Sequence, residues 1–252
     1  MGSRSAAPSD RPPPLDPGHA LFLDFDGTLV ELAPSPDQIR IAPELPGLLV
    51  ALGNRLSGAV AIVSGRRIDD LRRRLAPFDG IFAGQHGLEI GRGDGRIQRP
   101  PPDPALVAAL SAFAEFAARH DAILLEDKGT TIALHYRLVP ELAGAICALA
   151  DVAVAASCGA LRAIKGKMVV ELVPCGVGKG AAITAILQEP PFHGRVPVFV
   201  GDDVTDEDGF SAVEALGGVS VRVGVGASTA AFRLATVADV LAWLRRGLAE
   251  AP

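Results

Sequence analysis

Apolar residues along the chain fall into short continuous runs, separated by stretches where they recur every three or four positions. Leu21 to Asp24 begins the series, and after Pro43 the residues Leu45, Leu48, Leu49, Leu52 and Leu56 share one face at helical spacing. A second run, Ala59 to Val63, follows Gly58; Ile68, Leu71 and Leu75 then mark a short helix before Ile81-Phe82-Ala83. Strand-like runs alternating with helical stretches predict an α/β protein with a doubly wound parallel sheet. The pattern changes at Leu88 to Gln98, which reads as a hairpin around Asp94-Gly95, and Pro100-Pro101-Pro102 reads as a domain junction. Beyond it the order is helix (Leu106, Leu110, Phe113, Ala117), two strands joined near Gly129, a helix from Pro140, and two strands turning at Lys165-Gly166.

That α-β-β-α-β-β unit is an expected inserted cap over residues 102–173, splitting a core of 17–101 and 174–252. In its last strand Met168, Val170 and Leu172 are expected on one face, with Lys165, Lys167 and Glu171 on the other. After Pro174 the alternation resumes: a helix from Lys179, a strand Val196 to Val200, a helix through Phe210, a strand Val219 to Val225 and a last helix containing Trp243. Residues 1–16, with Pro12-Pro13-Pro14, read as a flexible tail with no apolar secretory region. Ala6 stands where myristoylation needs Ser or Thr. Leu142 to Leu161 is apolar enough to imitate a membrane span, but Asp151 near its centre argues for a helix and loop in water.

Composition narrows the function. With 49% hydrophobic and 21% charged residues, the 252-residue chain can bury a sizeable core, which excludes disorder and disulfide mini-protein scaffolds. A net charge of -5 offers no global positive field for a nucleic acid. The three cysteines, Cys147, Cys158 and Cys175, form no Cys-x-x-Cys pair and read as reduced thiols, which suits a cytoplasmic protein.

Chemistry gathers where the apolar runs end. Asp24-Phe25-Asp26-Gly27-Thr28 closes the first run, and carboxylates two residues apart lie on the same side of an extended chain. Such a pair needs a shared proton or a cation to stay ionised. Asp-x-Asp alone is equally compatible with a turn or a helix cap; Gly27 and Thr28 sharpen it, because Gly permits a tight turn that presents N–H groups to an anion. A second cluster, Gly201-Asp202-Asp203-Val204-Thr205-Asp206-Glu207-Asp208, follows Val196 to Val200. Hard oxygen ligands in this number suit Mg²⁺, although an acidic helix start is the plainer reading of the cluster by itself. Ser64-Gly65-Arg66 follows the second run, and Lys179 opens a helix within Gly178-Lys179-Gly180; the chain has only four lysines. Neither piece is specific by itself, and the Gly-Lys lacks the spacing of a P-loop.

Together and in this order, these pieces resemble the haloacid-dehalogenase-like (HAD) phosphatase superfamily. Leu23 to Leu29, Val63 to Arg66, Gly84-Gln85-His86-Gly87-Leu88-Glu89, Glu171 to Pro174 with Gly178-Lys179-Gly180, and Gly201 to Phe210 are similar to the trehalose-6-phosphate phosphatase family. The resemblance implies hydrolysis of trehalose 6-phosphate through an aspartyl-phosphate on Asp24. It implies Asp26 as general acid and base, and Ser64 and Lys179 on the phosphoryl oxygens. Mg²⁺ is implied on Asp24, the Asp26 carbonyl and Asp202, with Asp203 and Asp206 either supporting those ligands from behind or serving as alternative ligands. Sugar recognition is implied for Arg66, His86 and Glu89 in the core and Glu126, Lys128, Lys167 and Glu171 in the cap. His135 and Arg137 lie on a polar cap strand, and Arg72-Arg73-Arg74 reads as a solvated helix face. The expectation is a monomer without nucleic-acid or membrane partners, acting either alone or beside a synthase that makes its substrate. Two readings stay open: a HAD phosphatase for another sugar phosphate, such as sucrose 6-phosphate or mannosylphosphoglycerate, and a non-catalytic regulatory domain. A receiver module shares the acidic cluster and the Lys, but is about half this length and lacks a cap.

Overall fold

The computed structural model describes residues 11–33, 36–166 and 168–249. The chain divides into two compact units, one of residues 1–98 with 178–252 and one of residues 99–177.

In the first unit, β1 (His19–Leu23), β2 (Val60–Val63) and β3 (Ile81–Gly84) are runs with almost every residue buried. Continuous apolar strands are what a sheet covered on both faces requires. They alternate with α1 (Leu45–Arg55) and α2 (Ile68–Leu75). The antiparallel hairpin β4 (Glu89–Gly91) and β5 (Ile97–Gln98) closes one side. The inserted unit carries α3 (Pro104–Ala117), β6 (Leu124–Asp127), β7 (Ile132–His135), α4 (Ala143–Ala156), β8 (Leu161–Gly166) and β9 (Val169–Pro174). The first unit then resumes with α5 (Lys179–Ile186), β10 (Val196–Gly201), α6 (Glu207–Ala215), β11 (Val219–Val223), β12 (Phe232–Leu234) and α7 (Val237–Ala249).

Among the described residues the large sheet has the order β12-β11-β10-β1-β2-β3-β4-β5, parallel from β12 to β3. Register sets the site: Leu23 of β1 stands beside Val200 of β10 and Ile62 of β2. The three strands therefore end at nearly one level, and Asp24, Asp202 and Ser64 emerge along one edge. This is the carboxyl edge, where open α/β sheets bind ligands.

The strand β12 has no counterpart in the sequence expectation, because three residues are too few to carry a period. The tail also differs from its expected freedom: Pro12 is buried, Leu15 packs against Gly247, and the Trp243 indole N–H donates to the Pro13 carbonyl at 3.0 Å. An aromatic N–H inside a helix–core contact needs an acceptor, and the tail supplies it. The remainder of that expectation, residues 1–10, lies outside the described residues.

The inserted unit is an antiparallel sheet, β6-β7-β9-β8, with a core of its own from Leu106, Phe113, Leu134, Ile146, Val170 and Leu172 beside α3 and α4. The second helix is fourteen residues long, and no helix among the described residues is long and apolar enough to cross a membrane. Met168 is a turn residue, 42% exposed with φ +62, and not part of the packed strand face. Lys165 pairs across the strands with Val170, so it shares the helix-covered face and meets Asp151 of α4 at 3.1 Å. The turn falls later than the sequence suggested, so Lys165 belongs to β8 while Glu171 belongs to β9, and alternation along one strand does not relate the two.

Candidate active site

Asp24 leaves β1 buried, its backbone N–H given to the Val200 carbonyl at 2.9 Å. Lys179, the first residue of α5, reaches its carboxylate: Nζ is 2.6 Å from Asp24 Oδ1 and 2.6 Å from Asp206 Oδ1. The other Asp24 oxygen accepts from Thr28 Oγ1 at 3.2 Å. Gly27 is required twice over, by its φ of +79 and because a Cβ there would stand 2.2 Å from Asp202 Oδ2.

Burial raises the Asp24 carboxyl well above its ordinary range; Lys179 pulls it down, while Asp206 and Asp202 push it further up. Burial works against the Lys179 charge as well, but Asp206 and Asp24 outweigh it and hold the ammonium far above its ordinary value. Lys179 pairs with two buried carboxylates, Asp24 and Asp206, and the half-buried Asp202 lies beside them. One oxygen each from Asp24, Asp202 and Asp206 lie within 4.8 Å of one another, a donor set of hard oxygens that fits a Mg²⁺-like cation.

Within that set the carboxylates differ. Asp206 is fully buried, and its second oxygen accepts the backbone N–H groups of Asp202 at 3.0 Å and Asp203 at 2.9 Å. With lysine on one oxygen and two amides on the other, Asp206 braces the loop and the lysine. Asp203, expected either as a ligand or as a support behind the ligands, is outside the grouping. It caps the 3-10 turn Val204–Asp206, accepting the Asp206 N–H in a reciprocal capping box. The Asp26 carboxylate is likewise turned elsewhere. It forms a two-pronged pair with Arg66, Nε to Oδ2 at 2.6 Å and Nη2 to Oδ1 at 2.8 Å.

Arg66 also donates to Asp70 at 2.9 Å and lies over the Phe25 ring at 5.5 Å, so a residue expected to read sugar is engaged by the core. Ser64 is buried, its Oγ accepting the Arg66 N–H at 3.2 Å. The loops 64–66 and 84–86 are laced together: Gln85 N–H donates to the Arg66 carbonyl at 2.8 Å and His86 N–H to the Ser64 carbonyl at 3.0 Å. Gln85 and His86 both take positive φ, and the His86 ring packs so closely on Gly65 that a Cβ there would sit 2.8 Å away. His86 thereby lies beside the Ser64 turn.

Glu89 departs from its expected place at the sugar. Fully buried, it accepts the Ile68 N–H at 2.9 Å and the Gln85 side-chain amide at 2.8 Å, fixing the start of α2. Arg72 and Arg74 are not a solvated face either. Arg72 donates to the carbonyls of Arg92 and Gly95, and Arg74 Nε to Asp70 at 2.8 Å; of the three only Arg73 is largely exposed. Asp70, Gln85 and the bracing role of Asp206 are what sequence reasoning missed. The one available signal was the Arg66-Asp70-Arg74 spacing of four; in the structure Asp70 and Arg74 lie one turn apart on α2 and Arg66 precedes it.

In the inserted unit, Glu126, Ala133, Glu171 and Ile164 align across the four strands on the face away from α3 and α4. Glu171 Oε1 accepts from Lys128 Nζ at 2.9 Å and from Thr131 Oγ1 at 2.6 Å. Glu126 meets His135 Nε2 at 2.9 Å, and that hydrogen bond, opposed by burial, holds its carboxyl below the ordinary range. The structure thus brings Glu126, Lys128 and Glu171 onto one polar strip. Lys167 lies outside the described residues.

Residues 22–237 match the family model of trehalose-phosphatase. The chain is 40% identical over 238 residues to trehalose-6-phosphate phosphatase of Escherichia coli, covering 94% of this chain and 89% of that protein. Its fold superposes on the C-terminal domain of trehalose-6-phosphate phosphatase from Candida albicans with a TM-score of 0.80 at 18% identity, covering 92% of each chain. A HAD-superfamily phosphatase of Bacteroides thetaiotaomicron gives a TM-score of 0.60 at 18% identity, over 90% of this chain and 94% of that one. The parallel sheet, the motif at the end of each central strand and the 40% identity agree, and the chain belongs to the trehalose-phosphatase family of phosphoric monoester hydrolases.

Proposed function

We propose that this enzyme hydrolyses trehalose 6-phosphate to trehalose and inorganic phosphate, with Asp24 as nucleophile. The observation that carries the reading is Lys179 held between Asp24 and Asp206, beside Asp202, at the carboxyl edge of the sheet. An Asp24 oxygen forms a bond to phosphorus as the bond from phosphorus to the sugar oxygen breaks, and Asp26 gives that oxygen its proton. Water then attacks the aspartyl-phosphate, Asp26 takes the proton, and phosphate leaves with Asp24 regenerated.

Lys179 and Ser64 bind phosphoryl oxygens, and Asp206 keeps Lys179 in place. Mg²⁺, held by the carboxylates of Asp24 and Asp202 with the Asp26 carbonyl, would offset the negative charge of the phosphoryl group and its nucleophile. Glu126, Lys128 and Glu171, with Lys167, form the sugar-reading set of the cap, since groups arranged to bond hydroxyls reject analogues without them. His86 serves from the core side. The protein works as a cytoplasmic monomer, supplied by a synthase.

Phosphate release from trehalose 6-phosphate, sucrose 6-phosphate, glucose 6-phosphate and p-nitrophenyl phosphate, each with Mg²⁺ and with chelator, tests this. The expected result is chelator-sensitive release strongly favouring the first. Preference for another sugar phosphate would overturn the substrate, and release unaffected by chelator would overturn the metal.

A further inference from the structure

Asp26 is the one catalytic carboxylate whose place is set by a partner outside the buried lysine cluster. Both its oxygens are gripped by the Arg66 guanidinium, at 2.6 and 2.8 Å. Bidentate pairing fixes the direction of a carboxylate as well as its position, because the planar fork and the planar acceptor must align. Arg66 is itself held from two further sides, by Phe25 under its plane and by Asp70 at 2.9 Å. Asp70 in turn accepts from Arg74 at 2.8 Å on the same oxygen, and from Arg73 at 2.5 Å on the other. The row continues down to Glu89, whose bond to the Ile68 N–H anchors the helix that carries Asp70.

We infer that Arg66 is a positioning residue for Asp26, aiming its carboxylate for proton transfer to the leaving oxygen, and that Asp70 sets the aim of Arg66. This rests on the reading of Asp26 as general acid and deepens it; it moves Arg66 from sugar recognition to the chemistry of the departing alcohol. Arg66 touches neither the phosphoryl group nor the proton. Its effect is carried by the orientation of Asp26, and a displacement of about 1 Å can cost on the order of 100-fold in rate.

The test compares p-nitrophenyl phosphate with phenyl phosphate, esters of similar shape. Nitrophenolate departs without a proton, whereas the more basic phenolate gains from one. The quantity read is the ratio of kcat/KM values, nitrophenyl over phenyl, which reports the first phosphoryl transfer. Because both numbers come from one preparation, a misfolded fraction cancels. Asp26→Asn should raise the ratio most, Arg66→Lys by about 10-fold, since an ammonium cannot hold both oxygens, and Asp70→Asn by about 3-fold, since it keeps the shape but loses the charge that faces Arg66.

A flat ratio in Arg66→Lys and Asp70→Asn, with a raised ratio in Asp26→Asn, would overturn the inference and leave the mechanism standing. A flat ratio in Asp26→Asn would remove the general acid itself, and the inference with it. A fall in the ratio for Arg66→Lys would mean that the pair restrains Asp26, which also overturns the positioning role.

Discussion

The two units handle charge in opposite ways. At the carboxyl edge of the large sheet, Asp24, Lys179 and Asp206 are buried, and every charge leans on another from a distant part of the sequence. In the inserted unit, Lys128 beside β6 reaches Glu171 of β9, and Glu126 meets His135 of the adjoining strand in a pair that remains partly open. The first arrangement is costly to assemble and the second is easily altered. On the proposed reading, the first gives reactivity to one carboxylate and the second gives recognition by hydrogen bonds, so variants in the two regions should fail differently.

The largest expected effect is on turnover. Asp24→Asn keeps the shape of the side chain but removes the nucleophilic oxygen, and phosphate release should drop on the order of 10⁴-fold. Circular dichroism and gel filtration should be those of the parent protein. A folded, active variant would overturn the covalent route and weaken the contrast between the units at its source.

Next is stability. Lys179→Met leaves Asp24 and Asp206 facing each other in a buried site, and losing one member of such a group costs about 3–5 kcal/mol. Urea unfolding in chelator would measure it. A loss below about 1 kcal/mol would show that the cluster is relieved by protonation or water, and that its cost of assembly is small.

A cap variant should act on the substrate. Glu171→Gln keeps a hydrogen-bonding group beside Lys128 and Thr131 but removes the charge. We expect KM for trehalose 6-phosphate to rise about 10-fold, in line with loss of one hydrogen bond to a charged group, with a smaller change for p-nitrophenyl phosphate. Equal changes for the two substrates would move recognition away from this strip.

How much of this was legible depends on where the controlling contact lies. The parallel sheet could be read because its buried strands are continuous apolar runs, and the motifs because each follows such a run. The choice between Asp203 and Asp206 could not, because they lie three residues apart in one acidic segment and a single 3-10 turn decides which is buried. Glu89 was assigned to the sugar by resemblance, and its bond to the Ile68 N–H depends on β4 meeting the start of α2, which no local pattern shows. Arg66 was recognised as important but assigned to sugar. Its pairing with Asp26 depends on β1 lying next to β2, which is a fact of topology.

The smallest expected effect concerns the row that links the helix surface to the site. Burial raises the Asp70 carboxyl, but hydrogen bonds and charge from Arg74 and Arg66 outweigh it and leave it below its ordinary 3.8. A carboxyl depressed by folding adds stability at pH values above its unfolded value, and that addition is lost as pH falls through the depressed folded value. The parent should therefore exceed Asp70→Asn in stability at neutral pH by about 0.3–1 kcal/mol, the range for partly exposed ion pairs. The margin should hold down to the ordinary carboxylate range and close below it. Paired urea titrations of parent and variant from pH 7 to about 3 would follow the margin. A margin that persists unchanged at the acid end would assign the benefit of Asp70 to packing, and Arg66 would then be steered by shape, with the charge of Asp70 irrelevant to its aim.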